Sequence, residues 1–213
     1  MKILALEFSS PRRSVAVLNG PTVLAEQAEA TGQTVPPMVM TEAVLKQAGV
    51  ERNQIECVAV GLGPGSYTGI RGAIALAQGW QLATGVKLLG ISSVKCIAAQ
   101  AQAENIFGRV SVVIDAQRGE FYLATFEISD RAVGNVAALK IVSAAEVKSA
   151  MVESPLVGPE VSQWFAGARE IFPSAAALGR LAAARNDFVS GEQLEPIYLR
   201  ETSFVKAAPP RNL

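Results

Sequence analysis

The residues best suited to chemistry sit in one stretch, Gly61-Leu62-Gly63-Pro64-Gly65-Ser66-Tyr67-Thr68-Gly69-Ile70-Arg71, directly after the apolar run Cys57–Val60. A glycine-rich turn between a strand and a helix lets backbone come close to a ligand and aims unpaired N–H groups at an anion. Gly63, Gly65 and Ser66 are therefore candidate anion- or nucleotide-binding residues, and a purely structural turn is the competing reading. The loop lacks the lysine of GxxxxGK[ST], so it is not a P-loop. It also departs from GxGxxG, because the third glycine would fall on Thr68. Arg71 could meet an anion or simply be solvated.

Two carboxylates occupy matching places, Glu7 after Ile3–Leu6 and Asp115 after Ser111–Ile114. At two strand ends facing a common cleft they could hold Mg²⁺ and orient a water. Each could equally cap its own turn. Ser9, Arg12 and Arg13 follow Glu7 in a turn that could touch phosphate. Tyr67, Trp80 and Trp164 read as packing residues rather than a cofactor box.

Composition removes much of the remaining enzymology. The 213 residues contain no histidine, and the first hundred contain no aspartate. Ser-His and Cys-His nucleophiles, HExxH zinc sites and a histidine base are excluded. Nineteen basic and nineteen acidic residues cancel, whereas a chain that held nucleic acid alone would carry a basic patch. Cys57 and Cys96 lie in apolar segments and read as small buried hydrophobes, not a disulfide. No signal peptide or membrane-length apolar run is found, and a cytoplasmic protein is expected.

These residues need elements to hold them. Ile3–Leu6, Ser14–Leu18 and Thr22–Glu29 read as three antiparallel strands, with Asn19-Gly20 as a hairpin turn. Val35-Pro36-Pro37 opens a helix over Met38–Ala48, closed by Gly49. On it Met38, Thr41, Leu45 and Ala48 share one face and Met40, Val44 and Gln47 a neighbouring one, an apolar surface wide enough for a core or a partner. The helix after Thr68 is poor in bulk, with Gly72, Ala73, Ala75, Ala77, Gly79 and Ala83. A glycine inside a helix costs about 0.5–1 kcal/mol against alanine, and close approach of another helix is the natural reason for two. A strand over Lys87–Ile91 and a helix over Ser92–Ala103 follow.

At Val110 the pattern restarts. An apolar strand, a terminal Asp115, an Arg-containing turn and a second strand over Glu120–Phe126 repeat the order of Ile3–Leu18. This predicts two related lobes, 1–102 and 103–213, of mixed α/β type. Further on, Ser143–Met151 reads as a helix, Pro155–Gly158 as a strand leading to a helix from Pro159, and Pro173–Asn186 as an alanine-rich helix. The tail from Glu195, including Pro209-Pro210, reads as irregular.

Three blocks together resemble the TsaB (YeaZ) family: Ile3–Ser9 with Ser14–Val17, the loop Gly61–Arg71, and Asp115–Tyr122. Pro196-Ile197-Tyr198-Leu199-Arg200 fits the same family. The resemblance implies a two-lobed fold of the actin, Hsp70 and sugar-kinase type (ASKHA, ribonuclease H-like). It implies a non-catalytic subunit for threonylcarbamoylation of adenosine 37 in tRNAs that read codons beginning with A. Its partners would be the catalytic paralogue TsaD and the small ATPase TsaE, with tRNA reached only through the complex. The TsaD contact would use the helices after Val35 and Thr68, giving Met38, Thr41, Leu45, Gly69, Gly72, Ala73, Leu76 and Gly79 as interface candidates. The same face could form a homodimer. Glu7, Ser9, Arg12, Gly63, Gly65, Ser66 and Asp115 remain anion-site candidates, with no tightly bound cofactor and at most weak or interface-shared ATP or ADP with Mg²⁺.

Two departures bear on this. Glu7-Phe8 stands where the family has Asp-Thr, which disfavours independent ATP hydrolysis. The catalytic paralogue's metal-binding histidine pair has no counterpart in Gln33–Glu42, so neither that metal site nor a protease, an older label for the family, is expected. A scaffold that activates TsaD and a free-standing Mg-ATP enzyme are the two functional expectations.

Overall fold

The computed structural model describes residues 1–29 and 35–200. The start of the Gln33–Glu42 stretch and the Pro209-Pro210 tail lie outside them. In the first lobe β1 (Lys2–Glu7), β2 (Ser14–Asn19) and β3 (Thr22–Ala28) form an antiparallel meander, and β4 (Cys57–Gly61) and β5 (Lys87–Ile91) add in parallel, giving the order β3-β2-β1-β4-β5. Gly20 takes φ 57° at the first hairpin, but Asn19 stays in β2 paired with Thr22, so the two-residue turn is Gly20-Pro21 rather than Asn19-Gly20.

The central strands are buried on both faces, which explains why they read as continuous apolar runs. Side chains alternate between faces. Leu4, Leu6, Val15, Val17, Val58 and Val60 pack under α1 (Pro37–Ala48) and α2 (Tyr67–Thr84). Ile3, Ala5, Ala16, Leu18, Cys57 and Ala59 pack against Cys96 of α3 (Ser93–Ala103) and against α5 (Ala175–Ala183). Both cysteines are free and buried, and burial pushes the Cys57 thiol up to about 12. Helix α1 ends at Gly49, whose left-handed backbone returns its N–H to the Leu45 and Lys46 carbonyls.

The second sheet repeats the plan. β6 (Gly108–Asp115), β7 (Glu120–Ile128) and β8 (Val133–Ser143) form the meander, and β9 (Leu156–Gly158) and β10 (Arg169–Glu170) add in parallel, in the order β10-β9-β6-β7-β8. The two-lobed, ribonuclease H-like architecture follows from this repetition. α4 (Ala144–Glu153) starts with a capping box in which Ser143 and Glu146 satisfy each other's backbone N–H groups.

Three details differ from the sequence reading. Strand β8 was not expected, since it is largely exposed and carries Gly134, Asn135 and two alanines, so it has little of the period-two contrast that marks a strand. No α-helix follows Pro159. Instead Glu160 turns with φ 52° into a single 3₁₀ turn, Val161–Gln163, which sends the chain back to lay β10 beside β9. Helix α5 is shorter than Pro173–Asn186, capped by Ser174, and although it comes after residue 103 it packs on the first sheet. Among the described residues no helix is long and apolar enough to cross a membrane.

Candidate functional site

The glycine-rich loop is held by the end of β1. Ser66 N–H donates to the Ser9 carbonyl at 2.7 Å, and the Ser66 side chain caps α2 by accepting from Gly69 N–H at 3.3 Å. The two backbones lie so close that a Cβ on Gly65 would collide with the Ser9 carbonyl and one on Gly69 with the Phe8 carbonyl. Gly65 also has φ 143°. These glycines serve contacts within the chain. Gly69 is thereby removed from the surface candidates.

Glu7 does not reach the cleft. Its buried carboxylate accepts from Ser9 N–H at 2.9 Å and from the Ser93 hydroxyl at 2.9 Å, while Ser93 in turn accepts from Gly63 N–H at 3.2 Å. Desolvation without a countercharge pushes its pKa up from 4.5, against the smaller downward pull of the Ser9 and Ser93 bonds. The network ties β1, the loop and the start of α3 together. Ser93, which links them, had no sequence signal beyond its place at a helix start.

Between the lobes lies a cavity of about 800 Å³. Of the anion candidates, Ser9, Gly65, Ser66 and Asp115 line it, whereas Glu7, Gly63 and Arg12 do not. Arg12 borders a smaller pocket beside Ser14 and Glu26. Asp115 accepts from Gln117 N–H at 2.8 Å and from the Gln117 amide at 2.9 Å, so it caps its own turn. With Glu7 facing inward and Asp115 engaged this way, the two carboxylates do not fit a shared Mg²⁺ in the cavity. Arg13 grips Glu29 in a part-buried pair rather than facing a phosphate.

The aromatic residues divide. Trp80 is buried in the first core, as expected. Trp164 meets the Phe121 ring edge-on at 5.7 Å. Tyr67 is 54% exposed, carries Arg71 over its ring and stacks on Tyr198. Tyr198 and Arg200 also line the cavity, a role that sequence reasoning did not assign to them.

The outer face of α1 and α2 is the second feature. Thr41, Leu45 and Ala73 were interface candidates, but all three are buried in the chain's own core, because α1 and α2 turn those positions onto the first sheet. Met38, Gly72 and Gly79 are exposed and Leu76 is half-buried. Among the described residues, nothing beyond the helix's own neighbouring backbone lies within 4 Å of where a Cβ on Gly72 or Gly79 would stand. Val39 on α1 is 54% exposed and Leu82 on α2 is 90% exposed.

Comparison with known proteins places these features. The family model described as "TsaD: tRNA N6-adenosine threonylcarbamoyltransferase" matches residues 32–199. The Escherichia coli (strain K12) tRNA threonylcarbamoyladenosine biosynthesis protein TsaB is 28% identical, with 98% of this chain and 99% of that protein covered. An uncharacterized protein of Mycobacterium tuberculosis (strain H37Rv) is 30% identical over 93% of this chain and 91% of its own length. The solved structure of YeaZ from Pseudomonas aeruginosa superposes with a TM-score of 0.80 at 25% identity, covering 93% of this chain and 99% of that one. The match of loop, lobes and full length leads to one conclusion: the chain belongs to the TsaD-type family of tRNA threonylcarbamoyladenosine biosynthesis, in its TsaB (YeaZ) branch.

Proposed function

We propose that this chain is a non-catalytic subunit that heterodimerises with a TsaD-like catalytic paralogue and so supports transfer of a threonylcarbamoyl group to adenosine 37 of tRNAs reading codons that begin with A. The observation that carries the reading is the open stripe on α2. Gly72 and Gly79 are exposed, seven residues apart and on one helix face, and among the described residues no other element comes near the place of their missing side chains. A helix retains such glycines at a cost in stability, and an incoming helix at close range explains that cost. Met38 and Val39 of α1, with Leu76 and Leu82 of α2, add apolar area to the two outer helix faces.

The same face would serve a homodimer when the partner is absent, and a TsaE-like ATPase would join the assembled pair. The balanced charge supports contact with tRNA through the complex rather than by this chain alone, in a cytoplasmic setting. Nucleotide, if present, would be weakly held or shared with a partner. Co-expression with the cognate TsaD-like protein tests the reading. A stable complex on gel filtration and restored tRNA modification are expected, and Gly79→Leu should weaken the complex roughly five- to 150-fold and lower modification with it. Unchanged complex formation by that variant would refute it.

One observation favours a second reading. The interlobe cavity is large enough for a nucleotide, as a free-standing Mg-ATP enzyme would need. That reading requires heat of binding and turnover by the isolated chain, and a flat calorimetric titration ends it.

A further inference from the structure

We infer that Pro196–Arg200 is a clasp that holds the two lobes in one relative orientation, with Tyr198 and Arg200 as its positioning residues. The segment leaves the first lobe from a turn fixed on α2, where Gln78 donates to the Gly191 carbonyl at 2.8 Å and Gly191 N–H donates to Gln81 at 2.8 Å. Ile197 N–H then donates to the Leu62 carbonyl at 2.8 Å, at the edge of the glycine-rich loop. The Tyr198 ring stacks on Tyr67, the first residue of α2, with centroids 5.1 Å apart and planes at 27°. Two residues later the chain has reached the other lobe. Arg200 donates to the Ala116 and Gln117 carbonyls at 2.9 and 3.3 Å and pairs with Glu120 at 2.7 Å.

Pro196–Arg200 belongs to no helix or strand, so no regular ladder orders it. Its place is set by these contacts, which divide between the loop side of the first lobe and the β6–β7 turn of the second. All three contacts of the second anchor converge on one guanidinium nitrogen, Nη2, so the positive charge sits against two carbonyls and a carboxylate of the same turn. Tyr198 and Arg200 also line the interlobe cavity. A clasp in that place fixes the width of the cavity mouth and holds the N-terminal end of α2 against the second lobe. The inference goes beyond the docking reading and stands whether or not the outer face of α2 binds a partner.

The test uses the full chain with Arg200→Ala, Tyr198→Ala and Tyr198→Phe, the last of which keeps the ring. Amide exchange at Ile197 and across the β6–β7 turn would be followed by NMR. Spin labels at Lys46→Cys and Arg131→Cys, both exposed positions on different lobes, report the interlobe distance, since both native cysteines are buried. Exchange at Ile197 should rise about tenfold in Arg200→Ala, the scale of one charged hydrogen-bonded anchor, although that side chain binds the opposite lobe. Tyr198→Ala should do the same, both should broaden the distance distribution, and Tyr198→Phe should match the parent chain. Faster exchange confined to the β6–β7 turn, or an unchanged distance distribution in both alanine variants, would overturn the clasp.

Discussion

Replacing both Gly72 and Gly79 by leucine should make the isolated protein more stable and its pairing with a TsaD-like subunit weaker. Both glycines lie inside the 18-residue helix α2, and an added Cβ meets nothing within 4 Å at either. No steric cost opposes the change, so the helix-propensity difference remains, about 0.8 kcal/mol for each glycine-to-leucine step. Seven residues place the sites about 10 Å apart along the axis, far enough for the effects to add to about 1.6 kcal/mol. For a chain of this size that raises the melting temperature by roughly 3–6 °C. At a helix-to-helix contact the same leucines overfill the space, costing about 1–3 kcal/mol each, which weakens pairing by the double variant roughly thirtyfold at the least. Thermal unfolding by circular dichroism and titration calorimetry with the partner measure the two effects separately. A lowered melting temperature would refute the claim that these positions are open. A raised melting temperature with undiminished affinity would refute the claim that the partner docks there.

Two further perturbations probe the buried carboxylates, which act with opposite sign. Because burial raises the Glu7 pKa above 4.5, the native state keeps a proton that the unfolded chain has released. Stability should therefore fall as pH rises from 4.5 toward the raised value. Glu7→Gln, which can still accept from Ser9, should remove that slope and be the more stable protein at neutral pH; urea midpoints across the acidic-to-neutral range decide it, and parallel profiles for the two proteins would contradict it. Glu29 behaves in the reverse way. Its pKa is held below 4.5, chiefly by the Arg13 hydrogen bonds, so its contribution is present above 4.5 and lost as pH drops through the lowered value. Arg13→Met should cost about 1.5–3 kcal/mol at neutral pH by taking the charged hydrogen bonds from a poorly solvated carboxylate, and a loss well under about 1 kcal/mol on chemical denaturation, the scale of an exposed pair, would contradict it.

Local signals made much of the first lobe legible. Gly20 marks the first hairpin, one residue later than the Asn-Gly pair implies, Gly49 stops α1, and strands buried on both faces announce themselves as apolar runs. Zero histidine likewise excludes whole classes of catalysis from composition alone. Strand β8 and the turn after Pro159 were not legible, since the one carries little alternation and the other depends on where β10 must lie.

Which way a side chain faces was decided only by tertiary structure. Thr41, Leu45 and Ala73 share helices with Met38, Gly72 and Gly79, yet the first three pack on the sheet and the others meet solvent. The glycines divide for the same reason. Gly65 and Gly69 give room to the end of β1, a segment more than fifty residues earlier in sequence, while Gly72 and Gly79 face no other element among the described residues. Glu7 and Asp115 occupy equivalent strand ends in sequence, but one carboxylate folds inward onto Ser93 and the other closes its own turn. Sequence determines which groups are present and how they are spaced along an element. Which of them become core, loop anchor or open surface depends on contacts between residues distant in the chain, and these exist only once the lobes have packed.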